Sequence, residues 1–146
     1  MGDKVIPRRT LRRRSTRQRR VVLDVLRSTK SHPTADWVYE QVRQKIPNVS
    51  LGTVYRNLKL LRDMGEVMEL SFGSTYSRFD GNPEPHYHFN CVDCGRVMDV
   101  DIPVATELEE QVRRQHGWEV LCHRVEFYGR CSECSNRVTQ KQQSDD

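Results

Sequence analysis

The residue types most able to do chemistry sit in the second half of the chain. All five cysteines follow residue 90, and four of them form two C-x-x-C pairs, Cys91/Cys94 and Cys131/Cys134. Four thiolates match the tetrahedral preference of a structural Zn²⁺, and each pair makes a tight two-ligand knuckle. The gap between the pairs means that one ion would staple the end of this half to its beginning, so zinc would contribute directly to its folding. A redox dithiol is the rival reading, although two matched pairs exceed what such a motif needs. The fifth cysteine, Cys122, alternates with Trp118 and Val120 and is expected as a buried core thiol on a strand.

A second donor set contains nitrogen and oxygen. In an extended strand His86 and His88 project from one face, with Tyr87 and Phe89 on the other. Asp80 precedes them, Asp99 falls on the next expected strand, and His32 stands at a helix junction in the first half. If the five converge, they offer three imidazoles and two carboxylates, a set suited to Fe²⁺, Mn²⁺ or Zn²⁺. The plainer alternative is a group of surface histidines with a capping aspartate. His116, before Gly117, is placed to satisfy carbonyls at a helix end, and His123 reads as a hydrogen-bonded structural histidine.

Elements to position these groups can be read from apolar periodicity. Val22, Val25 and Leu26 form a first short helical stripe. After His32-Pro33, Thr34 caps a second helix with Ala35, Val38, Tyr39, Val42 and Ile46 on its inner face, stopped by Pro47. Ser50 caps a third, whose expected buried face is Leu51, Val54, Leu58 and Leu61, with Gly65 as a left-handed terminator. Short strands at 67–70 and 75–79 flank a turn at Phe72-Gly73-Ser74. Three helices and a hairpin make a winged helix-turn-helix. The outer face of its third helix carries Thr53, Tyr55, Arg56, Asn57 and Lys59, a mixture of phosphate donors and side chains able to read base edges. An ordinary polar face is the alternative.

Arginines 8, 9, 12, 13, 14, 17, 19 and 20 crowd the first segment although the net charge is only +4. Such an arm is either a polyanion contact or a solvated tail. Residues 80–85 are rich in turn formers and read as a hinge. Beyond it the pattern is β-β-α-β, with strands at 86–91, 96–100 and 118–128, a helix carrying Leu108 and Val112 between the last two, and a disordered tail at 139–146. The expected organisation is therefore α+β: a basic arm and winged helix over residues 1–79, the hinge, and a small zinc-stapled α/β domain over 86–138. No apolar run is long enough to span a membrane, and no secretory signal is visible, so a cytoplasmic location is expected. No nucleophile, base or substrate-pocket signature accompanies the histidines, which argues against an enzyme. A metalloenzyme and a zinc-dependent scaffold without DNA binding remain the rivals from other classes.

Taken in order, these motifs resemble the ferric uptake regulator superfamily. The resemblance rests on His32-Pro33-Thr34-Ala35-Asp36, on Ser50-Leu51-Gly52-Thr53-Val54-Tyr55-Arg56-Asn57-Leu58 and on Arg78-Phe79-Asp80. It continues through Pro85-His86-Tyr87-His88, both cysteine pairs and Glu126-Phe127-Tyr128-Gly129. It covers about Arg17 to Cys134. It implies a homodimer that binds palindromic operator DNA and represses transcription when a regulatory metal is bound. Cys91, Cys94, Cys131 and Cys134 would hold one structural zinc per subunit. Arg17, Arg19, Ser50, Thr53, Tyr55, Arg56 and Asn57 would face DNA. The set His32, Asp80, His86, His88 and Asp99, with aspartates where iron sensors place glutamates, is similar to the peroxide-sensing branch. That branch uses Fe²⁺ or Mn²⁺ as regulatory metal, and peroxide oxidises a histidine ligand of the iron, here His32 or His86. A repressor responding to the level of iron, manganese or zinc is the alternative. Pro85 and Tyr87 depart from the H-H-x-H pattern of members with an additional metal site, and His123 matches only one of that site's ligands.

Overall fold

A computed structural model describes residues 8–72 and 76–143, with side chains described over 16–72 and 76–138. The chain divides into two compact units between Pro83 and Glu84.

The first unit contains α1 (Arg8–Arg27), α2 (Ala35–Lys45) and α3 (Leu51–Asp63), followed by β1 (Met68–Leu70) and β2 (Arg78–Asp80). Both expected caps form: Thr34 accepts from the Trp37 amide, and Ser50 from the Thr53 amide at 3.1 Å. Each satisfies an otherwise orphaned first-turn donor. Gly65, at φ 74°, reverses the chain after α3 in a conformation that costs a glycine little. The helices close over Val22, Val25, Leu26, Ala35, Val38, Val42, Val54, Leu58 and Leu61, joined by Val49, Val67 and Phe79. β1 and β2 pair antiparallel with Met68 opposite Asp80 and Leu70 opposite Arg78. The Phe79 amide also bonds the Pro33 carbonyl at 2.9 Å, which ties the wing to the segment before α2.

Several expectations change here. The basic arm from Arg8 onward is the start of α1, in keeping with the good helix propensity of arginine. Leu51 is exposed, while Asn57, expected on the outer face, is buried at 6% exposure. Its amide donates to the Thr53 carbonyl at 2.9 Å, which removes it from the DNA-facing set. The physical reason is its phase: 54, 57, 58 and 61 are one i, i+3, i+4, i+7 stripe. Asp80, expected to open the hinge, ends β2. The turn at Gly73-Ser74, the start of the expected second strand at Thr75, residues 1–7 and the tail residues 144–146 lie outside the described residues.

The second unit contains β3 (Tyr87–Cys91), β4 (Val97–Val100), α4 (Thr106–His116), β5 (Glu126–Gly129) and α5 (Ser132–Gln143). Its sheet has the order β4-β3-β5, with β3 antiparallel to β4 and parallel to β5. Gly117, at φ 67°, terminates α4. His116 stacks on Trp118 with ring centroids 4.3 Å apart, where a carbonyl contact was expected. The expected long strand at 118–128 shortens to β5, and the preceding segment is irregular. Trp118 and Leu121 are 63% and 85% exposed, and Cys122 is an exposed thiol rather than a core one. Among the described residues, the apolar side chains Trp118 and Leu121 of that alternation stay exposed. The expected disordered tail is helical through residue 143, as the end of α5.

Candidate metal centres and nucleic-acid interface

Three of the four paired cysteines form a buried cluster in the second unit: Cys91, Cys131 and Cys134, with Phe89 and Met98 packed against them, while Cys94 is exposed. Cys91 ends β3, Cys94 lies in the turn to β4, Cys131 precedes α5 and Cys134 sits in its first turn. Their four sulfurs lie within 4.8 Å of one another, with Cys94 and Cys131 4.0 Å apart. A zinc ion with bonds of about 2.3 Å needs sulfurs about 3.8 Å apart, so the donors fit its tetrahedron.

The electrostatics ask for a cation. The Cys131 amide, at 3.3 Å from the Cys91 sulfur, and then the Cys94 and Asp93 amides pull the Cys91 thiol down to about 6 against the opposing effect of burial. Cys134 moves the other way, to about 12, because its thiol bonds to Cys131 and is buried among the other sulfurs. Neighbouring thiolates repel, and a divalent ion relieves that repulsion. Arg96 and Glu133 close the rim with paired bonds of 3.0 Å between the β4 side and α5. The four cysteines are a structural zinc site.

Nitrogen and oxygen donors gather in each unit. In the first, His32 lies buried at φ 51°, a conformation unusual for a residue with a Cβ. Such strain persists only where the surroundings enforce it. Here Arg78 donates to the His32 carbonyl at 3.1 Å. The His32 Nε2 stands 3.1 Å from Asp80 Oδ2, and the Asn82 amide holds the other Asp80 oxygen at 2.9 Å. In the second unit, the β3–β4 register sets His88 opposite Asp99. One Asp99 oxygen lies 3.1 Å from the His86 Nε2 and 3.6 Å from the His88 Nε2. The His86 Nδ1 meets the Glu84 carbonyl at 2.6 Å and must donate there. A neutral His86 would then aim its Nε2 lone pair at a carboxylate, so a proton or a metal ion belongs between them. These imidazole and carboxylate groups suit a regulatory divalent metal.

His123 is hydrogen-bonded as expected. Its Nε2 lies 2.9 Å from the Tyr87 hydroxyl and its Nδ1 2.9 Å from Glu109, while Tyr87 also accepts from the Ala105 amide. Neither Tyr87 nor Glu109 stood out in the sequence as its partner, since i, i+14 and i, i+36 separations carry no local signal.

The cap residue Ser50 and, on α3, Tyr55 and Arg56 are exposed, and Thr53 is half-buried. Arg56 reaches back to the Thr53 hydroxyl at 3.3 Å, and Tyr55 meets Phe79 edge-on. Lys59 bonds Glu69 of β1 at 2.6 Å, so its charge serves the wing rather than the outer face. Arg17 is exposed and Arg19 half-buried on α1.

A three-helix unit with a two-stranded wing, joined to a sheet stapled by four cysteines, defines a class of winged-helix zinc proteins. The chain belongs to the ferric uptake regulator family, whose model matches residues 11–128. It is 40% identical over 124 residues to the peroxide-responsive repressor PerR of Staphylococcus aureus, covering 85% of this chain and 84% of that protein. Among solved structures it is similar to the Campylobacter jejuni peroxide stress regulator, at 30% identity and a TM-score of 0.76 over 86% of this chain and 95% of that one. The Helicobacter pylori ferric uptake regulator, described as having three functional metal binding sites, matches at 25% identity and a TM-score of 0.69, covering 82% and 80%.

Proposed function

We propose that this chain is a cytoplasmic, metal-dependent transcriptional repressor that binds operator DNA as a homodimer and responds to hydrogen peroxide. The observation that carries the reading is the pair of half-sites: His32 with Asp80 in one unit, and His86 and His88 about Asp99 in the other. Neither half alone fills the coordination sphere of a first-row divalent ion. A single Fe²⁺ or Mn²⁺ taking all five would couple the reading head, residues 1–79, to the zinc-stapled domain, residues 86–138, across the short 80–85 hinge. Five protein ligands leave one position open, and iron there would supply the reduction of peroxide at the expense of a nearby imidazole, His32 or His86. The names of the Staphylococcus and Campylobacter relatives support the same signal.

His32 and Asp80 belong to the unit that carries α3, and this gives the switch its physical content. If the metal recruits them only in one arrangement of the two units, it selects that arrangement. Two preoriented heads then reach a palindrome with a raised effective concentration. Ser50, Thr53, Tyr55 and Arg56, with Arg17 and Arg19, are the proposed DNA-facing residues. The exposed apolar side chains of the second unit, among them Ile102, Leu108, Val112 and Leu121, support its role in dimerisation.

The test is DNA binding by zinc-loaded protein with Fe²⁺ or Mn²⁺, before and after hydrogen peroxide. Release of the iron form with a new oxygen atom on His32 or His86, and retention of the manganese form, is expected. Retention of both forms would leave a repressor responding to the level of iron, manganese or zinc; a zinc-bound manganese uptake regulator, 32% identical, is the relative that favours it.

A further inference from the structure

Beside the amino end of α3 lies a small cavity of about 230 Å³, lined by Arg17 and Gln18 of α1 and by Lys45, Ile46, Pro47 and Asn48 at the α2–α3 turn. None of the described residues that line it is a carboxylate. Described basic side chains of the first unit that pair with an acid include Arg27 with Glu66, Arg43 with Glu40, and Lys59 and Arg62 with Glu69. Arg17 and Lys45 have no such partner among the described residues, yet they open onto the same space. The volume equals roughly eight waters at about 30 Å³ each, below the range of about 300–1,000 Å³ of cofactor or substrate pockets. Two cations and two carboxamides around so small a space fit one tetrahedral anion, with charge from Arg17 and Lys45 and donors from Gln18 and Asn48.

We propose that this cavity seats one phosphate of the DNA backbone at the edge of the groove that α3 enters, with Arg17 and Lys45 sharing the same phosphate. This rests on the DNA-binding reading above and deepens it by adding Lys45, Gln18 and Asn48. In a helix-turn-helix the recognition helix presents its amino-terminal residues to the bases while the preceding helix meets the sugar-phosphate backbone. The turn before Ser50 is therefore where a phosphate passes. Lys45 also sits in the last turn of α2, where a cation stabilises the helix dipole whether or not DNA is bound. The experiment must separate these roles.

Counterion release provides the separation, because each phosphate neutralised contributes about 0.9 to the slope of log affinity against log salt. Full-length protein loaded with zinc and manganese is titrated with a random-sequence duplex over a range of salt concentrations. The double variant Arg17→Gln/Lys45→Gln is expected to lose about one unit of slope, since one phosphate is shared. Asn48→Asp, which places a carboxylate in the cavity, should weaken binding to every duplex alike. Lys30→Gln, an exposed lysine away from the cavity, is the control and should leave the slope unchanged. An unchanged slope in the double variant with wild-type binding intact would overturn the shared phosphate, and so would a loss of two units, which means independent contacts. Saturation of the DNA-free cavity by millimolar inorganic phosphate, read from the Asn48 amide shift, would make it a small-anion site and also overturn the proposal. Absence of DNA binding in the wild-type protein would instead remove the repressor reading itself.

Discussion

His86 carries the most at the scale of single residues, because its Nδ1 is committed to the Glu84 carbonyl and its Nε2 faces Asp99. His86→Ala should abolish metal-stimulated DNA binding while zinc content and self-association stay at wild-type levels. Anisotropy with labelled duplex, beside metal analysis, checks this, and normal metal dependence in the variant would refute the ligand role. Glu69 makes a prediction about stability. Burial pushes its carboxyl up, but bonds from Lys59, Ser77 and Arg62 outweigh that and hold it at about 2, against a usual 4.5. A carboxyl depressed on folding stabilises above its unfolded pKa, and that contribution disappears as pH falls from about 4.5 through about 2. At neutral pH the shift is worth at most about 3 kcal/mol, less whatever solvent screens from its half-exposed partners. Glu69→Gln should therefore lower thermal stability at neutral pH, with the gap to wild type closing in that acid window. Residue chemistry was largely legible beforehand: the cysteine pairs, the H-x-H strand and the two helix caps announce themselves by spacing. Asn57 was misassigned because its polarity outweighed its place on the Val54-Leu58-Leu61 stripe.

Elements differ in what holds them. The first unit has a continuous apolar core from Val22 to Phe79, whereas the buried cluster of the second is built on Cys91, Cys131 and Cys134 with Phe89 and Met98 against it, and Tyr87 and Val97 are the other described apolar side chains buried there. Metal chelation should accordingly unfold the second unit and leave the three helices of the first, a partial loss of helical circular dichroism at low temperature. Complete retention of the second unit's amide protection without zinc would refute this. Cys131→Ser should reproduce the loss. Gly81 shows a tight contact of another kind: a Cβ there would stand 2.9 Å from the Leu26 carbonyl carbon and 3.0 Å from the Arg27 amide. Both are backbone atoms, so Gly81→Ala should cost about 1–3 kcal/mol of the first unit's stability, measured by denaturant unfolding. The helix α5 was not legible in advance, because its sequence has no sustained apolar stripe and its start is positioned by the Cys131 knuckle. The expected strand at 118–128 failed for the opposite reason. Its alternation is real, but among the described residues Trp118, Leu121 and Cys122 stay exposed, so no burial within the unit holds the segment as a strand.

At the scale of the molecule that uncovered face leads to a prediction. Leu121→Asp should weaken self-association without releasing zinc, as read by sedimentation across concentrations. An unchanged dimer would place the interface elsewhere. The signal response belongs to this scale too, since Asp99→Glu is expected to blunt peroxide sensitivity more than metal-dependent repression. Equal loss of both would count against peroxide as the signal. Sequence spacing reveals the two donor sets but not how the chain uses them, because His32 and Asp80 are 48 positions apart and meet only through the wing that ties Phe79 to Pro33.

The hairpin between β3 and β4 sets His88 against Asp99, and the turn that counts out this register is the Cys91–Cys94 knuckle itself. Side chains alternate faces along a strand, so a miscount of one residue in that turn would send the Asp99 carboxylate to the other side of the sheet. The zinc site is thus a gauge as well as a staple: it measures the distance between two donors that it never touches. One residue inserted between Cys94 and Val97, outside the two-residue knuckle, is therefore expected to leave the four thiolates in place while moving Asp99 away from His88, with metal-stimulated DNA binding lost and zinc content unchanged.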